Sequence, residues 1–440
     1  MKTKLGKIWE SLHTSLWFIP SLMVLGALAL AFVTLTLDHQ DYDLMGSLPL
    51  TYTRGPDGAR EILSTVSGSM VSVATTAFSI VIVALQLASG QFGPRLLRNF
   101  MRDTGNQIVL GTFISTFIYC LLILRTINGQ EDEEFVPHLS VTCSIVLAAI
   151  GVAVLIYFLH HAATSIQAQH VIAQVGKDIN QTIDRLFPKK LGQSVPANRE
   201  VMADIPDNFE RQAEVIKAGI GGYVQGIDNE ELMKLATEHD LIVRLNYRPG
   251  DFIVKGCDLV TVFPQTQVNK QLAKKINGVF TVGNQRTPQQ DIEFSINQLV
   301  EIAVRALSPG INDPFTAIQC IDQLSATLCY LAPRNIPSPY RYDDDKKLRA
   351  IAESICFADM VDAAFNQIRQ YGQSSVGVTI RLLEAIARIS ECTQSKEQRT
   401  ALLRQAQMIE RGSHEAISEE LDQKDVQERY FAVLKLLKAQ

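Results

Sequence analysis

The chain has 440 residues, with 41 Lys and Arg against 46 Asp and Glu and a formal net charge of -5. Residues 1–159 hold nine basic and eleven acidic groups and the remainder 32 and 35, so neither half has the basic excess of a nucleic-acid binder. The seven cysteines contain no C-x-x-C and two fall in apolar runs, which argues against a disulfide framework or a zinc site.

A mean hydropathy of +0.08 conceals a sharp division. Four uncharged stretches, 16–37, 69–88, 108–124 and 141–159, each approach the ~20 residues that cross ~30 Å of hydrocarbon, and nothing comparable follows them. The first is too long for a signal-peptide core and lacks a small-x-small cleavage site, so it reads as a retained span. Lys2, Lys4 and Lys7 precede it and Arg95, Arg98 and Arg102 follow the second span, against Arg54, Arg60 and Arg125 on the other side. That asymmetry predicts a cytoplasmic N-terminus, and four spans return the C-terminal region to the cytoplasm.

In the second span Ser69, Ser72, Thr76, Ser79, Gln86 and Gly90 follow a three-four spacing interrupted only by Val83. The spacing draws one seam down a helix, and hydroxyls facing lipid are costly, so the seam must meet other helices or water. This helix is expected to start near Asp57 and to end at Gly90, Gly93 and Pro94. Arg95, Arg98 and Arg102 then share one face at the membrane interface. The third span repeats the habit with Thr112, Ser115, Thr116 and Tyr119. There a hydroxyl can also bond its own preceding turn or pack between helices.

Beyond the fourth span the helical pattern continues through His160, His161, His170 and Asp178 towards Phe187, as a stalk without the His spacing of a metal site. Pro188, Pro196 and Pro206 punctuate a linker. From Ala213 to Phe263 the pattern is strands, with a short turn at Gly221 and Gly222, a helix in NEELMKLATEHD capped by Asp228 or Asn229, and a turn at RPGD. Helices are expected over 288–306, 313–332, 344–370, 375–393, 395–410 and 413–438. The predicted fold is mainly α: four transmembrane helices in 1–160, a helical stalk in 161–187 and a linker in 188–211. A strand-rich module in 212–265 and a helical domain in 266–440 complete it, together a cytoplasmic α+β region with a small sheet and a helical bundle.

Three stretches, FSIVIVALQLASGQFGPRLLRNFMRD, RTPQQDIEFSINQLVEIAVRALSPGINDPFTA and QIRQYGQSSVGVTIRLLEAI, are together specific. Through them the chain resembles a widespread family of predicted bacterial membrane proteins catalogued as a domain of unknown function. The resemblance implies a bacterial inner-membrane location. It implies no activity and no catalytic residue.

In RALSPGINDPFTA, Asp313 can cap a helix, Pro314 suits its first position and Gly310 allows the reversal. One reading is a structural corner held by Arg305 and Asp313. The sharper reading joins Arg286, Asp291, Arg305, Asn312 and Asp313 into a corner for a small anion or a phosphate at free helix amides. Around Gly372, Arg369, Tyr371 and Arg381 frame a helix junction. GxxxxGK[ST], G-x-S-x-G and H-E-x-x-H are absent, so neither cofactor nor metal is expected and an enzyme is the less favoured class.

The expected function is a homo-oligomeric channel conducting small ions. Copies of the second span surround a path lined by Ser69, Ser72, Thr76, Ser79 and Gln86, with Val83 a dry constriction and Arg95, Arg98 and Arg102 at the cytoplasmic mouth. The cytoplasmic region would gate it. The alternative is a membrane-anchored regulatory or ligand-sensing protein whose seam only glues helices. The expected partners are the lipid bilayer, further copies of the chain and a small ion or anionic ligand, with no nucleic acid.

Overall fold

The computed structural model describes residues 15, 17–40, 52, 55–93, 103–127, 135–187 and 205–439. Two compact units divide the chain, Met1–His170 and Val171–Gln440.

The first unit contains α1 (Phe18–His39), α2 (Pro56–Phe92), α3 (Thr104–Thr126) and α4 (His138–Ser165), each long and apolar enough to cross a membrane. Of the apolar window of α3, 56% is buried, against 17% for α2, so α3 is the element on which the others pack. Gly111 permits the closest of these approaches: a Cβ there would lie 2.4 Å from Met23 Sδ and 3.2 Å from Pro20 Cα of α1. The 37 residues of α2 span roughly 55 Å at 1.5 Å per residue, well beyond ~30 Å of hydrocarbon. Its charged first turns, with Asp57, Arg60 and Glu61, extend past the apolar stretch, close to the start expected from sequence.

A polar network crosses this unit. The cap residue of α4, Pro137, supplies no side-chain bond, and Asp38 at the end of α1 replaces it. Asp38 accepts the Leu139 and Ser140 N–H groups at 2.9 and 3.0 Å and the Ser140 hydroxyl at 2.6 Å. The Tyr119 hydroxyl donates to the Ser140 carbonyl at 3.0 Å and lies 3.1 Å from Thr34 Oγ1. Thr112, Thr116 and Tyr119 are buried, so the polar stripe of the third span is an internal packing seam.

The helix expected to run unbroken towards Phe187 stops at Ser165, and α5 (Ala168–Leu186) begins three residues later. Its Val171, Ile172, Val175, Ile179 and Ile183 form one buried face at helical spacing, so this segment is a packed amphipathic helix of the second unit. There follow α6 (Phe209–Gln212), β1 (Glu214–Lys217), β2 (Gly222–Ile227), α7 (Asn229–Glu238), β3 (Ile242–Leu245), β4 (Phe252–Ile253), β5 (Asp258–Phe263), α8 (Lys270–Val279) and β6 (Phe280–Gly283). Next come α9 (Ile292–Ala306), α10 (Pro314–Leu331), β7 (Tyr340–Tyr342), β8 (Leu348–Ile351), α11 (Phe357–Gly372), α12 (Val376–Cys392), α13 (Lys396–Ala416) and α14 (Glu420–Ala439).

One sheet has the order β1-β5-β3-β8-β7, antiparallel except for β3 beside β8, and the other has the order β4-β2-β6. The two strands flanking Gly221 and Gly222 therefore separate, β1 pairing with β5 and β2 with β4 and β6. A shared core of Leu232, Leu241, Val260, Leu272, Ile276 and Ala350 joins both sheets to α7 and α8. The helix expected over 344–370 starts only at Phe357. Its first residues become β8, which pairs in parallel with β3, and Arg349 is buried there against Asp343 and Asp240 at 2.6 and 2.7 Å. Tertiary pairing overrides local helical compatibility in so short a run. The remaining helices pack as a bundle, α9 with α10 and α11, and α12 with α10 and α14.

Candidate functional site

The seam on α2 lies on its outward side. Ala59, Leu63, Met70, Ala77, Val81 and Ala88 are buried against the other helices, whereas Ser69, Ser72, Thr76, Ser79, Val83 and Gln86 are all exposed. At 3.6 residues per turn the two sets fall on roughly opposite sides of the helix. Val83 is 55% exposed. The hydroxyls bond back along their own helix: Ser72 to the Gly68 carbonyl at 3.1 Å, Thr76 to Ser72 at 3.0 Å and Ser79 to Thr75 at 2.8 Å. Each donated proton is thereby used, and each oxygen keeps its lone pairs for an outside donor or cation. Beside the seam runs a second exposed stripe, Val71, Phe78 and Ile82, which suits lipid. Arg95, Arg98 and Arg102 lie outside the described residues.

At one end of this unit Asp103 caps α3 by accepting the Gly105 N–H at 2.8 Å, and its Oδ2 lies 2.6 Å from His161 Nε2 on α4. The Tyr157 ring stacks on His161 with centroids 5.4 Å apart. The spacing that places His161 in a stalk without the pattern of a metal site does not point to this pair. The Asp before Thr104 was the available signal, since it has the form of a helix cap.

The five residues considered for an anion corner divide into two groups at opposite ends of α9, roughly 20 Å apart at 1.5 Å per residue. At its start, Arg286 donates to Asp291 through Nε at 2.6 Å and Nη2 at 2.8 Å. Asp291 also caps α9 by accepting the Phe294 N–H at 2.9 Å. Arg248, from the RPGD turn, donates to Glu293 at 2.9 Å. Burial pushes the Glu293 carboxyl above the usual carboxylate range, with the Arg248 charge opposing the shift. Acids and bases here already satisfy one another, as expected of a structural cluster.

At the other end, Arg305 Nε lies 3.6 Å from Glu301. Asn312 turns the chain with φ of 50° and donates its N–H to the Ser308 carbonyl at 2.8 Å. Asp313 caps α10 by accepting the Thr316 N–H at 3.1 Å and the Thr316 hydroxyl at 2.6 Å, and this hydroxyl bond holds its carboxyl below the usual range. Ile311 and Phe315 beside it are exposed. Of the residues around Gly372, Arg381 instead reaches Asp322 on α10 at 3.4 Å, and Tyr371 is exposed.

The family described as Predicted membrane protein (DUF2254) matches residues 13–388. An uncharacterized protein of Mycobacterium bovis and one of Mycobacterium tuberculosis are each 32% identical over 424 residues, covering 94% of this chain and 79% of theirs. A further uncharacterized protein, from Mycobacterium tuberculosis strain CDC 1551, is 31% identical over the same length. No solved structure matches.

Proposed function

The chain belongs to this family of predicted membrane proteins, and from that premise we propose that it is a homo-oligomeric, channel-like protein of the bacterial inner membrane that conducts small ions. The observation that carries the proposal is the outward, uncharged polar seam of α2, on the side opposite its buried face. One protomer encloses no path along these residues, whereas a ring of copies brings one seam per subunit to a common axis and closes without free ends. Hydroxyl oxygens with spare lone pairs then replace part of an ion's hydration, and Val83 forms the dry constriction. The basic-residue asymmetry favours a cytoplasmic N-terminus and second unit; in this reading Arg95, Arg98 and Arg102 belong to the inner mouth and the second unit gates the path.

A second reading rests on the same hydroxyl bonds. Because Ser72, Thr76 and Ser79 are satisfied within α2, their face can also pack dry against another helix, as in a membrane-anchored regulatory or ligand-sensing protein without a pore. Ion flux into liposomes carrying the full chain separates the two. A pore predicts that Thr76→Asp or Ser79→Asp shifts cation over anion selectivity severalfold and that Val83→Ser raises conductance. Unchanged flux and selectivity in all three variants would remove the pore.

A further inference from the structure

The five-stranded sheet ends on β1, whose inner edge pairs with β5 and whose outer edge has no strand beside it among the described residues. That outer edge looks across an open groove of ≈ 400 Å³ towards Lys270, Ala273, Lys274 and Asn277 on one face of α8. Asn277 closes one end of the groove as a strand would: its Nδ2 donates to the Lys217 carbonyl at 3.1 Å and its Oδ1 accepts the Gly219 N–H at 2.9 Å. Along β1 the side chains alternate, Ile216 entering the core while Val215 and Lys217 remain exposed.

The charge around the groove selects what can lie in it. Lys217, Lys270 and Lys274 outnumber Glu214. A second copy of β1 would bring Lys217 against the same lysines, the usual device by which an edge strand is kept from pairing with itself. An extended segment bearing carboxylates meets both demands, offering main-chain hydrogen bonds to the edge and opposite charge to the lysines on either side. We propose that the groove between β1 and α8 binds an extended acidic peptide, added to the sheet as a further strand beside β1. This site is independent of the pore and stands whether or not the α2 seam conducts.

The test uses the full chain in nanodiscs and a fluorescein-labelled octapeptide of alternating Glu and Val, with fluorescence anisotropy as the readout. The expected result is saturable binding that Lys270→Glu with Lys274→Glu weakens by about tenfold, because two exposed charge pairs are reversed. An octapeptide with Lys in place of Glu should in turn bind that variant better than the unaltered chain, and lose that binding when its amide nitrogens are methylated, a dependence that only a folded sheet edge produces. The acidic peptide methylated on its amide nitrogens should not bind, since it keeps the charge and loses the strand hydrogen bonds. No saturable binding by the unaltered chain, or equal binding of the methylated peptide, would overturn the proposal. The latter is the behaviour of a simple cationic patch for phosphate or lipid headgroups.

Discussion

At Asp291 three requirements meet in one side chain that is only 2% exposed. It binds the Arg286 guanidinium through both oxygens, caps α9 and lies under Gly250, where a Cβ would come 2.5 Å from its Oδ2. Gly250 also has φ of 104°, a conformation that L side chains rarely adopt. Asp291→Ala removes the cap and leaves a guanidinium that is 25% exposed with Glu293 at 3.8 Å, which should cost about 2–3 kcal/mol once that exposure and remaining partner are allowed for. Gly250→Ala should cost about 1–3 kcal/mol through strain and the clash with the carboxylate. The double variant should therefore be less destabilised than the sum of the two, since Ala at 291 removes the group that a Cβ at 250 meets. Denaturant unfolding of the full chain in detergent measures the cycle, and additivity would mean the contact carries no energy. From the sequence, Asp291 and the RPGD turn were each visible. Their meeting was not, because Asp291 follows Gly250 by 41 positions, with three strands and α8 between them.

At the scale of one helix, α2 makes a sharper demand. Its seam and its lipid-suited stripe are both exposed in the protomer and both uncharged, so only the medium around them distinguishes the two. If water lines the seam, single cysteines in Ser72→Cys, Thr76→Cys, Ser79→Cys and Gln86→Cys should react with a membrane-impermeant thiol reagent at least about tenfold faster than those in Val71→Cys, Phe78→Cys and Ile82→Cys, measured above the native-cysteine background. The basis is that reaction requires thiolate, which water stabilises and hydrocarbon does not. Equal, slow reaction on both stripes would favour dry helix contacts. The spacing of the seam was legible from sequence, as was the start of its helix near Asp57. Its direction was not, because which face is buried depends on how Met70, Ala77 and Val81 pack with α3 and α4, a choice that helical period leaves open. The same limit explains β8: Leu348–Ile351 has no period of its own, and pairing with β3 decides its state.

For the whole molecule, hydropathy alone marked the four candidate spans found among the described residues, because lipid imposes length and charge limits that few sequences meet by chance. The second unit follows subtler rules, and its two sheets needed strand pairings far apart in the chain. Orientation is the property on which the inner mouth depends. Arg60 donates to the Ile127 carbonyl at 3.2 Å, so the start of α2 and the end of α3 share one side of the first unit. Arg60 and Arg125 therefore share that side, whereas α2 ends at Phe92 on the other, and Arg95, Arg98 and Arg102 follow it in the sequence. Counting Lys2, Lys4 and Lys7 with Arg95, Arg98 and Arg102 gives six basic groups against Arg54, Arg60 and Arg125, from which the positive-inside rule predicts a cytoplasmic side for the six. A C-terminal green fluorescent protein fusion should then fluoresce and a C-terminal alkaline phosphatase fusion stay inactive, while phosphatase inserted near residue 130 should be active. Replacing Lys2, Lys4 and Lys7 with Gln should produce a mixed population, since it leaves three basic groups against three. The reverse pattern in the unaltered chain would put Arg95, Arg98 and Arg102 outside, and with them the mouth at which the second unit is proposed to act.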